Sequence, residues 1–432
     1  MTRSIRCALL GLAASAASCL AALGAVSASA AGTPSRTPPA AARTGPIAAA
    51  SSGCSDPYPA KRDPANPLML SPAPPPGNPL GGASFFVDGP AHGRAAQAIA
   101  HLLGLDDGTP IGKQFPSFPV TESWATFADY IGNHIGSVSA GKAHEITELA
   151  KIASQPEAQR ISLFSAGGTP AGIAQQTTKL FCGNFTADPG TIPIITTYFL
   201  HAKLGGCATP GQMAAYRPTF EKQINAMVSA TGRRPVVYLL ELDAVGSSAC
   251  MARQGDLGDW ESLLRYEVDK VATLPHAVVY VEGGYSDANN PHYAARMLNH
   301  SDIRKIQGFF TNDTHLNWTI NEIHYGQAIA KLTHGAHFVI DTADNGNGPK
   351  LNPHPSTQGN EDLCSPPGRA LGPPTDTATG YRDVDAYLWT HIPGNGGCGT
   401  NLPSGSFDVS FALGLAERAN DRLGPHFPSN PY

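Results

Sequence analysis

Apolar residues along much of the chain occur in short runs that alternate with longer segments of helical periodicity. The short runs, rich in β-branched residues, cover residues 192–198, 235–242, 277–281, 306–310 and 337–341. Helical patterns lie between them, at residues 216–230, 260–274 and 320–332. Short apolar strands separated by helix-length segments are typical of a mainly parallel, buried sheet. The pattern therefore predicts an α/β fold, either a barrel or a doubly wound sheet.

The beginning of the chain has the layout of a secretory signal peptide. Arg3 and Arg6 precede an apolar run rich in Ala and Leu, and small residues follow between Ala28 and Ala30. Ser and Gly interrupt the run, and no later stretch approaches the roughly 20 apolar residues of a membrane span. We therefore predict that residues 1–30 are a signal peptide, that the protein is secreted and that it does not insert into a membrane.

Two further segments follow the predicted signal peptide. Residues 31–75 are rich in Pro and Ala, so they bury too little apolar surface to become ordered, and we predict a disordered lead-in. Residues 76–432 have no internal repeat and no second linker, and α/β barrels often use such a length as one unit. We predict a single domain there, with residues 83–87 as its first apolar segment.

Composition narrows the choice of partner. The formal net charge is -5 and only 15% of residues are charged, so nothing in the charge balance favours nucleic acid or an anionic membrane. The 46 Gly and 38 Pro suit a globular protein with many loops. We expect a neutral partner, no nucleic acid and a monomeric protein.

The cysteines indicate disulfides rather than a metal site. Cys7 and Cys19 lie in the predicted signal peptide, and an even set remains: Cys54, Cys182, Cys207, Cys250, Cys364 and Cys398. An even number in an exported protein favours disulfide bonds. No Cys-x-x-Cys or His-x-x-x-His spacing occurs, so we expect no metal and no cofactor.

Polar residues stand at or just beyond the C-terminal ends of the five short apolar runs: Tyr198, Asp243, Glu282, Asn312 and Asp341. In α/β barrels the active site lies at the C-terminal ends of the strands. Any one of these residues alone would be explained by a strand cap or a buried hydrogen bond. Five of them together favour a cleft.

Motifs spread over about residues 76–425 carry a family resemblance. They include Asn78-Pro79-Leu80-Gly81-Gly82, Glu241-Leu242-Asp243, Gly308-Phe309-Phe310-Thr311-Asn312, Phe338-Val339-Ile340-Asp341-Thr342 and Cys364-Ser365-Pro366-Pro367-Gly368-Arg369. In this order they resemble glycoside hydrolase family 6, the cellobiohydrolases and endoglucanases that cleave β-1,4-glucan with inversion. The resemblance implies a distorted, incomplete, seven-stranded TIM-like α/β barrel. It also implies a polysaccharide or oligosaccharide substrate in a cleft at the C-terminal strand ends.

The resemblance implies a disulfide pattern as well. The family links the Cys after its second strand to one after the strand that bears the acid, and it links the two Cys that flank its C-terminal loop. The corresponding pairs are Cys207 with Cys250 and Cys364 with Cys398, and Cys54 with Cys182 is the pair that remains.

Asp243 occupies the position of the family's catalytic acid. Inverting hydrolysis needs an acid that protonates the leaving oxygen and a base that activates water, with the carboxyl groups about 6.5 to 9.5 Å apart. Such an acid needs a raised pKa, from burial or from a neighbouring carboxylate. The family's neighbour, an Asp just before a Cys, is replaced here by Gly206, before Cys207.

The family's base loop, Lys-x-Pro-Gly-Glu-Ser-Asp-Gly, reads here His391-Ile392-Pro393-Gly394-Asn395-Gly396-Gly397-Cys398 and has no carboxylate. Other sugar-contacting positions also differ, since Glu282 replaces an Asp, Asp344 replaces an Arg and Phe86 takes the place of a platform aromatic. From the positions that match the family we predict these substrate-binding residues: Tyr198, Phe86, Glu282, Tyr285, Asn312, His315, Asp344, His391 and Asn395.

Three hypotheses about function are compatible with these differences. A divergent glycosidase would use Glu282, Asp287 or Asp344 as its base, or pass the proton through water. A conventional β-1,4-glucanase would keep the family's specificity. A catalytically impaired glycan-binding protein would use the same fold, with Asp243 as a buried, hydrogen-bonded carboxylate.

Overall fold

The structure is a computed structural model, and it describes residues 77–105, 110–111, 123–164, 167–349, 367–396, 402–403 and 405–423. The predicted signal peptide (1–30) and lead-in (31–75) lie outside these residues. Seven strands form one sheet in chain order: β1 (Gln159–Ser162), β2 (Ile194–Tyr198), β3 (Val236–Leu240), β4 (Ala277–Glu282), β5 (Gly308–Thr311), β6 (His337–Asp341) and β7 (Val384–Leu388). Every neighbouring pair is parallel.

Helices connect most of the strands. Those in the described part of the chain are α1 (Arg94–Leu102), α2 (Trp124–His134), α3 (Ala140–Ala153), α4 (Pro170–Ala187), α5 (Leu200–Leu204), α6 (Pro210–Thr231), α7 (Ala249–Gln254), α8 (Leu257–Val271), α9 (Pro291–His300), α10 (Thr319–Leu332) and α11 (Val409–Leu423). The apolar runs that predicted strands correspond to β2–β6, and the three helical patterns correspond to α6, α8 and α10.

Three helices that follow strands begin with the same local device. Thr169, Thr209 and Asn290 cap α4, α6 and α9 with a side-chain oxygen, and each is followed by a proline at the first helical position. A capping oxygen satisfies a free backbone N–H of the first turn, and proline has no N–H there to leave unpaired. These residues therefore fix where the chain turns back over the sheet.

The strands alternate between two apolar layers. In β3, Val236, Tyr238 and Leu240 pack in the cluster that includes the helices, whereas Val237 and Leu239 pack in a second cluster formed by residues of the sheet's inner face. Successive side chains of a strand point to opposite faces, so a strand buried on both faces has apolar residues throughout.

The sheet curls into a barrel that is incomplete. Beyond the end of β7, Trp389 forms an isolated parallel bridge with Glu157, which precedes β1, and the Ala158 N–H donates to the Trp389 carbonyl over 2.9 Å. This bridge joins the two edges where a full barrel would have a ladder of paired strands. The predicted distorted, incomplete, seven-stranded α/β barrel is confirmed.

Two details of chain organisation complete the fold. Residues 83–87 do not form a strand of the sheet, although Phe85 forms a parallel bridge with Ile192.

The predicted disulfide between Cys207 and Cys250 is present, with Cα atoms 5.2 Å apart. The other two predicted pairs each involve cysteines outside the described residues, namely Cys54, Cys364 and Cys398. No helix in the described ranges is both long and apolar enough to cross a membrane.

Candidate active site

The chain makes a strained turn directly after β3. Glu241 and Asp243 both have left-handed backbone conformations, with φ of 56° and 65°. Side chains with a Cβ rarely adopt such values, and the surrounding contacts must hold them. The buried Glu241 carboxylate accepts hydrogen bonds from the N–H groups of Phe199 (3.0 Å) and Leu200 (2.8 Å), so it ties the turn to the start of α5. The turn leaves the Asp243 side chain 22% exposed above the strand ends.

Two hydroxyl groups hold the Asp243 carboxylate. Tyr285 Oη donates to Oδ1 over 2.6 Å, and Thr314 Oγ1 donates to the same oxygen over 3.1 Å. The other oxygen, Oδ2, lies 3.9 Å from His201 Nδ1. Gly246 makes room for this arrangement, because a Cβ there would lie 2.1 Å from the Tyr285 ring. The carboxylate is therefore oriented from the loops after β4 and β5.

Tyr285 is supported from behind by a second group of side chains. Its ring stacks on His315, with centroids 3.6 Å apart, and His315 Nδ1 lies 2.9 Å from Asp287 Oδ1. Asn317 donates to the same Asp287 oxygen over 2.6 Å. Tyr285 and His315 are both buried, so in this structure they support Asp243. Their direct contact with sugar stays a prediction.

Glu282 lies at the end of β4 and is fully buried. Its carboxylate accepts hydrogen bonds from the N–H groups of Val245, Gly246 (3.1 Å) and Gly284 (2.5 Å). Burial and the negative charge of Asp243 raise the pKa of Glu282 to about 8, although the backbone donors act in the opposite direction. Both carboxylate oxygens have partners, and these partners lie in the loops after β3 and β4. Glu282 therefore connects the two loops.

Asp313 is a site residue that the sequence analysis did not identify. It follows Asn312 at the end of β5, and 3% of it is exposed. Its Oδ2 lies 3.4 Å from the Asp243 backbone nitrogen, and its buried Oδ1 has no hydrogen-bond partner among the described residues. Burial and the charges of Glu282 and Asp243 raise the pKa of Asp313 well above its usual range. A carboxylate directly after a strand-end Asn was the available sequence signal.

The loops after β6 and β7 form the other side of the site. His391 Nδ1 lies 3.0 Å from Asp344 Oδ2, and the His391 backbone N–H donates to Asp341 Oδ2 over 2.8 Å. Burial lowers the pKa of His391, but the charge and hydrogen bond of Asp344, with the charge of Asp341, outweigh it and raise the pKa to about 9. His391 is therefore a cation at neutral pH, and its side chain is 30% exposed.

Two amides near this side have structural contacts. The Asn395 side-chain oxygen accepts a hydrogen bond from Arg94. Asn312 is buried, and its side chain donates to the carbonyls of Asn317 (3.2 Å) and Asp341 (2.9 Å). Asn312 therefore links the ends of β5 and β6, and its contact with substrate stays a prediction.

The first two strands contribute an exposed cation and aromatic rings. Ile161 packs on the helix side of β1, so its neighbour Arg160 faces the barrel interior, where it is exposed. The Arg160 guanidinium carbon lies 5.5 Å from the centroid of the half-buried Tyr198 ring. Phe164, just after β1, is 77% exposed, whereas Phe86, predicted as a platform, is 4% exposed. An exposed ring at a strand end can stack on a sugar, and the sequence analysis missed Phe164.

Comparison with known proteins identifies the family. Residues 124–417 match the sequence profile described as Glycosyl hydrolases family 6. The chain belongs to glycosyl hydrolases family 6. It is 29% identical over 269 residues to Endoglucanase 1 of Streptomyces sp. (strain KSM-9), covering 62% of this chain and 70% of that protein. It is 28% identical over 273 residues to Endoglucanase A of Cellulomonas fimi, covering 63% of this chain and 56% of that protein.

Solved structures of family 6 share the fold. The endoglucanase Cel6 from Mycobacterium tuberculosis, in complex with methyl-cellobiosyl-4-deoxy-4-thio-β-D-cellobioside, has a TM-score of 0.59 and 29% sequence identity. The match covers 79% of this chain and 99% of that chain. The catalytic core domain of the cellobiohydrolase Cel6A from Chaetomium thermophilum has a TM-score of 0.51 at 18% identity, covering 71% of this chain and 100% of that chain.

The structure brings only part of the family 6 pattern together. Asp243, which the resemblance assigns to the position of the family's acid, has Tyr285, Thr314 and Asp313 around it. His391 and Asp344 form an ion pair at positions where the family resemblance has Lys and Arg. The base-loop residue Gly397 lies outside the described residues. The two sides of the site thus differ in how closely they follow the family.

Proposed function

We propose that this protein is a secreted glycoside hydrolase that cleaves β-1,4-glucan or a related glycan with inversion, and that Asp243 is its proton donor. The observation that carries the proposal is the position of the Asp243 carboxyl. It lies at the end of β3, partly exposed, with one oxygen held by the hydroxyls of Tyr285 and Thr314. A fixed, accessible carboxyl at a barrel's C-terminal strand ends suits proton transfer to a bound substrate.

The related proteins support a glucan as substrate. Two of the relatives are named endoglucanases, and the Mycobacterium tuberculosis enzyme was solved with a thio-linked cello-oligosaccharide. The chain spans a little over half of the Cellulomonas fimi protein, so the substrate is carried over as part of the proposal. The signal-peptide pattern of residues 1–30 supports secretion.

Three carboxyls are the candidates for the base. Glu282 has three backbone donors, Asp287 contacts His315 and Asn317, and Asp344 is paired with His391. A base must reach the attacking water, directly or through a second water. Asp344 fits best of the three, because it lies on the side of the site opposite Asp243. If none of these carboxyls acts as the base, the attacking water enters from solvent and must lose its proton without a positioned base.

The alternative function is glycan binding without hydrolysis. It is favoured by one observation, which is that the three carboxyls considered as base are buried and have partners. On this alternative, Asp243 would bind a sugar hydroxyl through its exposed carboxylate. Both functions place the same ligand over the same strand ends, so only a measurement of turnover separates them.

The test compares the secreted wild-type protein with Asp243→Asn on soluble cellulose derivatives, cello-oligosaccharides, and fungal and bacterial cell-wall polysaccharides. We expect the wild type to release reducing ends from a glucan, with the α-anomer formed first in proton NMR, and Asp243→Asn to lose this activity. Asp269→Asn, a surface substitution at the Lys305 ion pair of α8, is the matched control and should keep full activity. Binding of a glycan without release by the wild type would support the alternative and contradict the enzyme.

A further inference from the structure

We infer that the cleft takes a glycan that carries a carboxylate, such as a uronic acid unit, and that Arg160 binds this carboxylate. The inference rests on the proposed function and deepens it, because it names the class of related glycan. It concerns a side chain of β1 that neither the proposed proton donor nor the candidate bases involve. The net charge of -5 led us to expect a neutral partner, but recognition depends on the charges next to the ligand.

The position of β1 brings the Arg160 side chain between the two sides of the site. Ala158 packs in the cluster of the sheet's inner face, and Arg160, two residues further along the strand, points to the same face. β1 pairs with β2 on one side, and just before β1 the chain bridges to Trp389, which follows β7, on the other. Arg160 comes after this bridge, so it lies between the end of β2 and the loop after β7, which carries His391.

Electrostatic interactions agree with this placement of the Arg160 guanidinium. Burial lowers its pKa, whereas Tyr198, Asp313 and Asp243 raise it. Burial and the charge of Arg160 both act to lower the pKa of His391, although Asp344 outweighs them. Such effects decrease with distance. The guanidinium is therefore near the proposed donor on one side and near the β6–β7 ion pair on the other.

Arg160 is exposed and has no partner of opposite charge. Within the described part of the chain, no hydrogen bond or ion pair involves its guanidinium, and its contact is the Tyr198 ring, whose centroid is 5.5 Å away. Thr196 stands opposite Arg160 in the sheet, and its buried hydroxyl has no hydrogen-bond partner among those residues either. Asp344, the acid on the β6–β7 side, is paired with His391. The cation is therefore available to a ligand.

A neutral sugar would leave this cation without a counterion. A ligand bound over Arg160 removes water from the guanidinium, and a desolvated charge needs a partner of opposite charge. A carboxylate on the ligand provides one, because the planar guanidinium can donate two parallel hydrogen bonds to it. The contact with the Tyr198 ring uses the charge of Arg160 but none of its N–H donors, so these donors stay free for the ligand.

Tyr198 offers a further donor on the same face of the sheet. Its ring is half-buried, and its hydroxyl makes no hydrogen bond to any residue that the structure describes. Burial and the charge of Asp243 raise the pKa of Tyr198 to about 12, so the phenol keeps its proton and can donate it to an acceptor. A carboxylate has two oxygens that accept hydrogen bonds. Arg160 and Tyr198 together can therefore satisfy one carboxylate.

Asp243 and Asp313 limit where the carboxylate of the ligand can lie. Like charges repel, so the carboxylate must approach Arg160 from the side of the loop after β7. In the proposed mechanism Asp243 carries a proton until the glycosidic bond breaks. Burial and the charges of Glu282 and Asp243 raise the pKa of Asp313 well above its usual range, which reduces its negative charge. The sugar unit with the carboxylate is therefore expected over β1 and the loop after β7.

The test compares cello-oligosaccharides with the same oligosaccharides oxidised at C6, in which a carboxylate replaces each CH2OH group and the linkage is unchanged. Affinity is measured by calorimetry on the wild type and on Asp243→Asn, in which the proposed hydrolysis is blocked. We expect the oxidised form to bind about 10-fold more tightly, because a hydrogen bond to a charged group is stronger than one between neutral groups. The preference should decrease as the salt concentration rises.

Variants of Arg160 test whether this side chain causes the preference. Arg160→Gln should lose about 10-fold in affinity for the oxidised form and little for the neutral form. Arg160→Lys keeps the charge without the planar fork, so its preference should lie between those of the wild type and Arg160→Gln. The matched control is Arg296→Gln on α9, because Arg296 is also exposed and lies over a tyrosine ring, 5.6 Å from the centroid of Tyr293. It should keep the wild-type preference.

The outcomes separate the inference from the proposed function. Hydrolysis of cello-oligosaccharides without any preference for the oxidised form would keep the proposed enzyme and overturn the inference. An equal loss of affinity for both forms in Arg160→Gln would also overturn it, because Arg160 would then bind a sugar hydroxyl. Tight binding of the oxidised form without release of product would refute the enzyme and support the carboxylate site. Binding of neither form by a protein without hydrolytic activity would refute both.

Discussion

The two sides of the cleft differ in the state of their charged groups. On the β3–β5 side, two hydroxyls hold the Asp243 carboxyl and Asp313 contacts its backbone N–H, so a partly exposed carboxyl lies over the strand ends. On the β6–β7 side, His391 and Asp344 neutralise each other in an ion pair. Inverting hydrolysis needs a working carboxyl on both sides. The comparison teaches that the proposed acid has more of its supporting contacts in place than any candidate base.

The largest effect should come from the acid side and should depend on the leaving group. Asp243→Asn removes the proposed proton donor, so hydrolysis of unactivated cello-oligosaccharides should slow by about 100-fold or more. An aryl β-cellobioside with an acidic phenol needs no proton to leave, so its hydrolysis should change far less. The check is kcat for both substrate classes, with Asp269→Asn as control. Equal losses on both classes would contradict a donor role for Asp243.

The next effect should come from the base side, where a small anion can replace water as the nucleophile. If no base is positioned there, azide should accelerate cleavage of an aryl β-cellobioside on the order of 10-fold, part of the 10²–10⁴ that a positioned base contributes. Azide attacks the anomeric carbon as the carbon–oxygen bond breaks, and an α-glycosyl azide forms. The cationic His391 ring on that side should attract the anion.

Sodium chloride at the same ionic strength is the control for azide, because it screens charges without acting as a comparable nucleophile. Product analysis by NMR distinguishes acceleration by azide attack from a general salt effect. If azide neither accelerates cleavage nor appears in the product, the β6–β7 side already supplies a base. In that case Asp344 becomes the first residue to replace.

The fold was largely predictable from the sequence, and the failures have a physical cause. β2–β6 are buried on both faces and therefore appear as apolar runs. β1 was not among the predicted runs, because Gln159, Arg160 and Ser162 leave Ile161 as its one large apolar residue. Arg160 is polar because its strand position opens into the cleft. The polar Arg160 that kept β1 from being predicted as a strand therefore lies at the candidate site.

The site was less predictable, because a family position does not determine exposure. Phe86 occupies a platform position but is buried, whereas Phe164 is exposed and was not predicted. Glu282 stands where the family has an Asp, and its longer side chain accepts hydrogen bonds from backbone N–H groups of the loop after β3. Asp313 escaped notice because it lies beside Asp243 only through a contact between the loops after β3 and β5, which the sequence alone does not reveal.

The smallest effect concerns the ion pair of the β6–β7 side, and it appears in stability. His391 has a pKa of about 9, above the 6.5 of an ordinary histidine. The pair therefore stabilises the fold fully below pH 6.5, and this contribution disappears as the pH rises through about 9. His391→Gln should lower the free energy of unfolding by about 1 kcal/mol at pH 6, or ~2 °C in Tm, and by almost nothing at pH 9.5.

Thermal unfolding of the wild type and His391→Gln across this pH range checks the prediction. His300→Gln is a matched control, because His300 forms a more exposed pair with Glu261 on the protein surface, 2.8 Å apart, where solvent screens the interaction. A His391→Gln effect of the same size at pH 6 and pH 9.5 would mean that the ring contributes packing rather than charge. The β6–β7 side would then be neutral, and the contrast between the two sides of the cleft would rest on the missing carboxylate alone.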